Sequence, residues 1–154
     1  MDIRRPSLSD VDELVEMWLS LADSQRAYGS HLLVAENRSH IRETIAHYVV
    51  ADQLRVASAD ELCGFVMFTV EVARYEQDVE RGLIENVYVE PTFRGEGVGT
   101  ALLDAAEEAL RSTGVDVIAI EVLADNEAPR RLYRNHGYSP HRLELEKRVS
   151  SERS

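Results

Sequence analysis

One junction constrains this chain more than any other stretch. The apolar run "LIENVYV" is closed by Pro91, and "FRGEGVGT" follows, with glycine at positions 95, 97 and 99. An amphipathic run from Gly97 to Thr113 comes next. A Val-, Ile- and Tyr-rich run ended by proline predicts a strand. In the second run Val98, Ala101, Leu102, Ala105 and Ala109 share one side, and Asp104, Glu107, Glu108 and Arg111 the other. That spacing predicts a helix, with Gly114 as its C-terminal stop. The glycines therefore sit where a strand hands over to a helix. The first turn of a helix presents unpaired N–H groups and the positive end of a dipole, which together attract phosphate. Glycine lets a ligand touch the backbone and permits positive φ. Arg94 adds a permanent charge that forks onto phosphate oxygens. The unit reads as a pyrophosphate cradle, with a ligand-free glycine turn as the alternative. It is not a P-loop, which needs Lys-Ser/Thr after its glycines, nor the Gly-x-Gly-x-x-Gly dinucleotide fingerprint.

The rest of the chain supplies layers around this unit. "DIRR" predicts a short first strand closed by Pro6, and Ser7 or Ser9 caps a helix bearing Val11, Leu14, Val15, Trp18 and Ala22. "SQRAYGSHLLVAENR" reads as a loop with at most a turn of helix. Ser39 is expected to cap a second helix with Ile41, Ile45, Tyr48 and Val49 on one face. "QLRVASADELCGFVMFTVEVA" predicts two strands joined by a tight turn near Asp60-Glu61. "VDVIAIEVL" is almost continuously apolar, as a strand covered on both faces would be. Asn126 is placed to cap a last helix that ends at Gly137, with Pro129 in its first turn. "YSPHRLELEKRV" alternates Leu143 and Leu145 against Arg142, Glu144 and Glu146, predicting a final strand. The order β, α, α, β, β, β, α, β, α, β is that of a mixed α/β layer fold. No repeat or linker divides it, so one domain is expected over residues 1–149, with a short polar tail at 150–154.

Charge narrows the function classes. The 154 residues carry a net charge of −11, from 28 acidic against 17 basic, and Lys147 is the only lysine. Such a surface repels nucleic acid. A lysine-poor, acid-rich composition suits a salty cytoplasm, where screening relieves self-repulsion; an acidic, halophilic proteome is one source that fits. No apolar run approaches the roughly 18 residues of a membrane span, and no signal-peptide core follows the start, so a cytoplasmic setting is expected. Cys63, the single cysteine, excludes an internal disulfide, and "ELCGFVMF" reads it as a small core residue. The histidines are scattered, only His40 and His47 sharing a segment, so no metal site is expected.

Two segments carry a family resemblance. "VYVEPTFRGEGVGTALL" resembles the acetyl-CoA-binding segment of the GCN5-related N-acetyltransferases, Arg/Gln-x-x-Gly-x-Gly/Ala after a strand, here Arg94, Gly97 and Gly99. "NEAPRRLYRNHGY" resembles the same superfamily's next segment, an Asn ahead of a helix carrying Leu-Tyr and ending in Gly-Phe/Tyr. The two occur in the family's order, one helix and one strand apart. The resemblance implies a twisted mixed sheet, splayed between its fourth and fifth strands, with helices on both faces. Acetyl-CoA would enter that gap. Backbone groups of the Val87-Tyr88-Val89 strand, chiefly Val87 and Val89, would pair with the pantetheine arm. The N–H groups of Gly95, Glu96, Gly97, Val98, Gly99 and Thr100 would take the pyrophosphate, with Arg94 beside them. Asn126 would bond the pantetheine region and Arg130 would lie near the nucleotide end. Arg131 and Arg134 would add positive charge, or form an ordinary exposed helix face.

The same resemblance implies the chemistry, transfer of an acetyl group to a primary amine in a ternary complex. Tyr133 matches the family tyrosine near the cofactor sulfur; a phenol stays protonated at neutral pH and can donate to a departing thiolate. Glu85 opens the "ENVYV" strand where related enzymes place a carboxylate base, and Glu121 is a weaker candidate. His31 lies in a loop that in this family lines the acceptor pocket, and otherwise reads as a solvated histidine. The alternative function is a non-catalytic acetyl-CoA sensor of the same fold. The amine acceptor is not legible, and dimerisation through the last strand is compatible with the reading but carried by no sequence signal.

Overall fold

The computed structural model describes residues 1–150; the expected tail lies outside them apart from Ser150. Alternating apolar runs pair as β1 (Asp2–Arg4), β2 (Leu54–Ser58), β3 (Leu62–Val70), β4 (Arg81–Val89) and β5 (Val117–Ile120), in that spatial order. The first three junctions are antiparallel and the β4–β5 junction is parallel. The tight turn falls at Ala59–Glu61, where Ala59 N–H donates to Glu61 O at 3.0 Å. Parallel strands need a crossover, and α3 (Val98–Arg111) supplies it.

Helices cover both faces. On one, α1 (Val11–Arg26) and α2 (Arg38–Val50) bury Leu14, Val15, Ile41 and Ile45 against Leu54, Val56, Phe65 and Met67. On the other, α3 and α4 (Glu127–Asn135) pack Val98, Leu102, Leu103, Ala106, Leu110 and Tyr133 onto Ala57, Cys63, Val66, Phe68 and Ile84. Period-two alternation along β3 sends Phe65 and Met67 to one core and Val66 and Phe68 to the other. Cys63 is fully buried, as a core residue should be.

Four expectations are corrected. The buried stripe of α3 runs through Leu103, Ala106 and Leu110 rather than Ala101, Ala105 and Ala109, because bulkier side chains gain more from leaving water. The cap position of α2 is Asn37, not Ser39; a 3-10 turn at Ala35–Asn37 leads in, and Asn37 Nδ2 donates to Leu33 O at 2.6 Å. β5 is not covered on both faces, since Val117 is exposed and Ile118, Ala119 and Ile120 are only half-buried. The final strand is not formed: residues 139–150 are all exposed and enter none of the ladders among the described residues.

Candidate active site

The site begins where the sheet comes apart. The β4–β5 ladder runs from Arg81↔Val117 to Ile84↔Ile120 and stops, while β4 continues to Val89. From Glu85 onward β4 has no strand on that side. Which of its groups face the gap follows from one bond. Glu90 N–H donates to Cys63 O at 2.7 Å, which makes Gly64↔Val89 and Val66↔Val87 the non-hydrogen-bonded pairs of the β3–β4 ladder. The N–H and C=O of Val87 and Val89 therefore point away from β3, into the opening. Tyr88 differs: its backbone belongs to the β3 ladder, and its ring packs 6.0 Å from Phe65 on the α1 side.

The glycine turn lies at the end of this edge. Pro91–Phe93 forms a single 3-10 turn, Gly95 and Gly97 take φ of +81° and +83°, and α3 starts at Val98. Those dihedrals require glycine, because a Cβ in the left-handed region costs about 1–2 kcal/mol. The first helical bond here is Ala101 N–H to Gly97 O at 3.0 Å. The N–H groups of Gly95 through Thr100 have no acceptor among the described residues. Six consecutive amides are left without partners beside a helix N-terminus. Arg94 frames them: its Nε donates to Val89 O at 2.9 Å and its guanidinium lies 5.7 Å from the Tyr88 ring centre. That bond engages the carbonyl of Val89, while its N–H stays without a partner.

Glu85 owes its position to a feature the sequence reading missed. The β3–β4 register shifts between Met67↔Asn86 and Phe68↔Ile84, so Glu85 is an unmatched bulge residue. The bulge resets the alternation. Ile84, Val87 and Val89 address the α3 side, while Glu85 and Asn86 both meet the α1/α2 side. Trp18 Nε1 donates to Asn86 Oδ1 at 3.4 Å, and the Tyr48 hydroxyl donates to Glu85 Oε1 at 2.5 Å. Burial first, then the Glu85 bond and charge, push the Tyr48 phenol well above its ordinary value. Tyr48 packs against the core with the rest of its expected α2 face, and its hydroxyl reaches the candidate base, a contact the sequence did not show. The available signal was the break from period two in "LIENVYV".

Tyr133 is buried to 9% exposure on α4, 6.3 Å from the ring of Tyr138. Its hydroxyl bonds no described residue, yet is not among the atoms sealed from solvent. Desolvation alone raises its pKa to about 12, and the phenol keeps its proton at neutral pH. The neighbouring Leu132 Cδ2 lies only 3.2 Å from where a Cβ on Gly99 would stand, which brings α4 close against the start of α3. Asn126 occupies the cap position of α4, but its side chain makes no capping bond and stays uncommitted.

The arginines divide. Arg130 Nη1 donates to Ala124 O at 2.7 Å and Arg134 sits 3.8 Å from Glu127, whereas Arg131 forms no ion pair among the described residues. Glu121 stands exposed just past β5. His31 is exposed too, its Nε2 2.9 Å from Glu146. Away from the cleft, the fold does gather one histidine with carboxylates, which linear spacing hid. His136 Nε2 lies 3.0 Å from Asp104 and 3.6 Å from Glu107, tying the end of α4 to α3, and Tyr138 donates to Glu107 at 2.7 Å.

Known proteins resemble this chain in sequence and in fold. A mycothiol acetyltransferase of Beutenbergia cavernae is 38% identical over 63 residues, 41% of this chain but only 21% of that protein. A GCN5-related N-acetyltransferase from Ralstonia eutropha JMP134 superposes with a TM-score of 0.75 at 21% identity, covering 97% of this chain and 99% of that one. A PaiA N-acetyltransferase from Thermoplasma acidophilum, solved in complex with coenzyme A, gives 0.74 at 20% identity over 93% and 92%. At such identities these structures establish the fold. The sequence pattern of the acetyltransferase (GNAT) family matches residues 11–138, from the first residue of α1 to just past α4, and the chain therefore belongs to the acetyltransferase (GNAT) family.

Proposed function

We propose that this chain transfers an acetyl group from acetyl-CoA to a primary amine by direct attack within a ternary complex. The observation that carries the reading is the run of unpartnered donors along one groove: the inward N–H groups of Val87 and Val89, then the amides of Gly95 through Thr100. A carrier with an extended amide-bearing arm and a diphosphate fits that order, the arm adding beside β4 as a strand would and the diphosphate meeting the helix start. In this reading Asn126, whose side chain is uncommitted at the start of α4, bonds the arm, and Arg130, one nitrogen of which holds Ala124 O, lies near the nucleotide end.

Acetyl-CoA supplies an activated thioester and a good leaving group. The protein's own residues do the rest. The N–H of Val87 or Val89 is aimed into the gap, where an oxyanion would develop. Glu85, oriented by Tyr48, takes the proton of the amine directly or through water, and the Tyr133 hydroxyl gives a proton to the departing sulfur. Holding both reactants in one cleft supplies much of the rate.

Calorimetry with acetyl-CoA followed by thiol release across a panel of amines tests the proposal. Binding with amine-dependent release supports it. Binding without release from any amine would instead identify a sensor, and no binding would end both readings.

A further inference from the structure

The expectation of no metal site came from how histidines are spaced along the chain, and folding changes their company. Asp104 and Glu107 stand three residues apart on α3, hence on one face of it. His136 closes α4, its N–H donating to Leu132 O at 3.1 Å and Tyr133 O at 3.0 Å. That backbone carries the imidazole onto the same two carboxylates. His136 Nε2 lies 3.0 Å from Asp104 Oδ1 and 3.6 Å from Glu107 Oε2. One ligand atom from each of the three residues falls within 4.8 Å of the others. Ligands bound at about 2.0–2.2 Å in a tetrahedral shell are themselves roughly 3.4 Å apart, so the His136 separations already suit an ion.

The surroundings complete the set. The side chains of His136 and Glu107 are 15% and 17% exposed, whereas Asp104 is open to water at 66%. Two ligands are thus held by the protein, and the third stands on the entry side. The Tyr138 hydroxyl donates to Glu107 Oε2 at 2.7 Å, and its ring lies at 18° to the His136 ring, 6.4 Å between centres. Outer contacts of this kind orient ligands. Charge calls for a cation, because two carboxylates brought together repel. Asp104 has no arginine or lysine partner among the described residues. Arg111 meets the other oxygen of Glu107 at 3.9 Å and is closer to Glu108, at 3.3 Å. We propose that Asp104, Glu107 and His136 bind one divalent ion of the zinc class, with water completing its shell. An imidazole nitrogen beside two carboxylate oxygens suits such an ion better than magnesium or calcium, which take oxygen ligands. None of the three ligands belongs to the acetyl-CoA groove. The ion joins α3 to the end of α4, the helix that carries Tyr133, and so acts as a staple between them.

Calorimetric titration of chelator-treated protein with zinc chloride tests the site. One equivalent should bind with a dissociation constant of roughly 10 μM or tighter. The melting temperature should rise as zinc is added, because the ion binds the folded chain. His136→Gln and Asp104→Asn should each weaken binding at least about a hundredfold, and Tyr138→Phe about tenfold, as the loss of an outer contact does. X-ray absorption at the zinc edge of the wild type should show imidazole and oxygen ligands and no sulfur, since Cys63 is buried. Weaker binding by the wild type overturns the proposal, and so does a sulfur ligand. Affinity unchanged in the His136 or Asp104 variant also overturns it, placing the ion on exposed His31, His40, His47 or His141 instead. If His136→Gln does not fold, the exposed substitution Asp104→Asn and the absorption spectrum decide.

Discussion

Tyr133 is the residue whose surroundings say most. Burial raises its pKa to about 12 against 10 in the unfolded chain, so it contributes stability that is fully present below about pH 10 and lost as pH climbs through 12. Raising the phenol from 10 to about 12 corresponds to roughly 2–3 kcal/mol. Tyr133→Phe should therefore lose less stability than wild type between pH 9 and 12, in urea melts run at each pH. At neutral pH the same substitution should lower kcat about a hundredfold while leaving acetyl-CoA affinity within a factor of about three, as expected of a proton donor. Unchanged turnover would remove Tyr133 from the mechanism. Glu85→Gln tests the base directly. Tyr48→Phe should lower kcat about tenfold without altering the KM for acetyl-CoA, since Tyr48 holds Glu85 rather than the carrier. Comparable losses in affinity would recast Tyr48 as a packing residue.

The bulge and the turn belong to the scale of elements. A bulge at Glu85 lets one strand give its inner positions to the α3 core, its next two side chains to α1 and α2, and its backbone edge to the cleft. The turn at Gly95–Gly97 does the complementary task of freeing amides. Gly97→Ala meets no steric obstacle, as nothing lies within 4 Å of the new Cβ, but the +83° φ must be strained. It should cost about 1–2 kcal/mol in chemical denaturation. It should also weaken acetyl-CoA binding by calorimetry; full affinity would show that the turn tolerates another geometry. Leu103→Ala, fully buried under α3, should cost about 2–5 kcal/mol and leave the cleft residues in place. The turn was legible in the sequence because positive φ and bare backbone demand glycine. The bulge was not, because a single extra residue changes register without changing composition.

At the scale of the molecule, self-repulsion sets the expectation. With a net charge of −11, the folded state should gain stability as salt screens its surface. Molar potassium chloride should raise the melting midpoint by several degrees over dilute buffer; no rise would leave the acid-rich composition without a stabilising role. The described ion pairs are mostly exposed, such as Arg38–Glu16 and Arg111–Glu108, and contribute little that salt would cancel.

By itself the sequence determined the order of the elements as far as α4 and the glycine turn at the start of α3, because periodicity, proline and glycine act over a few residues at a time. It also placed Tyr133 and Asn126 on the right helix. Only the tertiary structure decided that Tyr48 meets Glu85, that His136 meets Asp104 and Glu107, and that "RLELEKRV" finds no strand within the described chain. Those outcomes depend on which distant segments the packing brings within bonding distance. A strand pattern states that one face must be covered; it does not say by what.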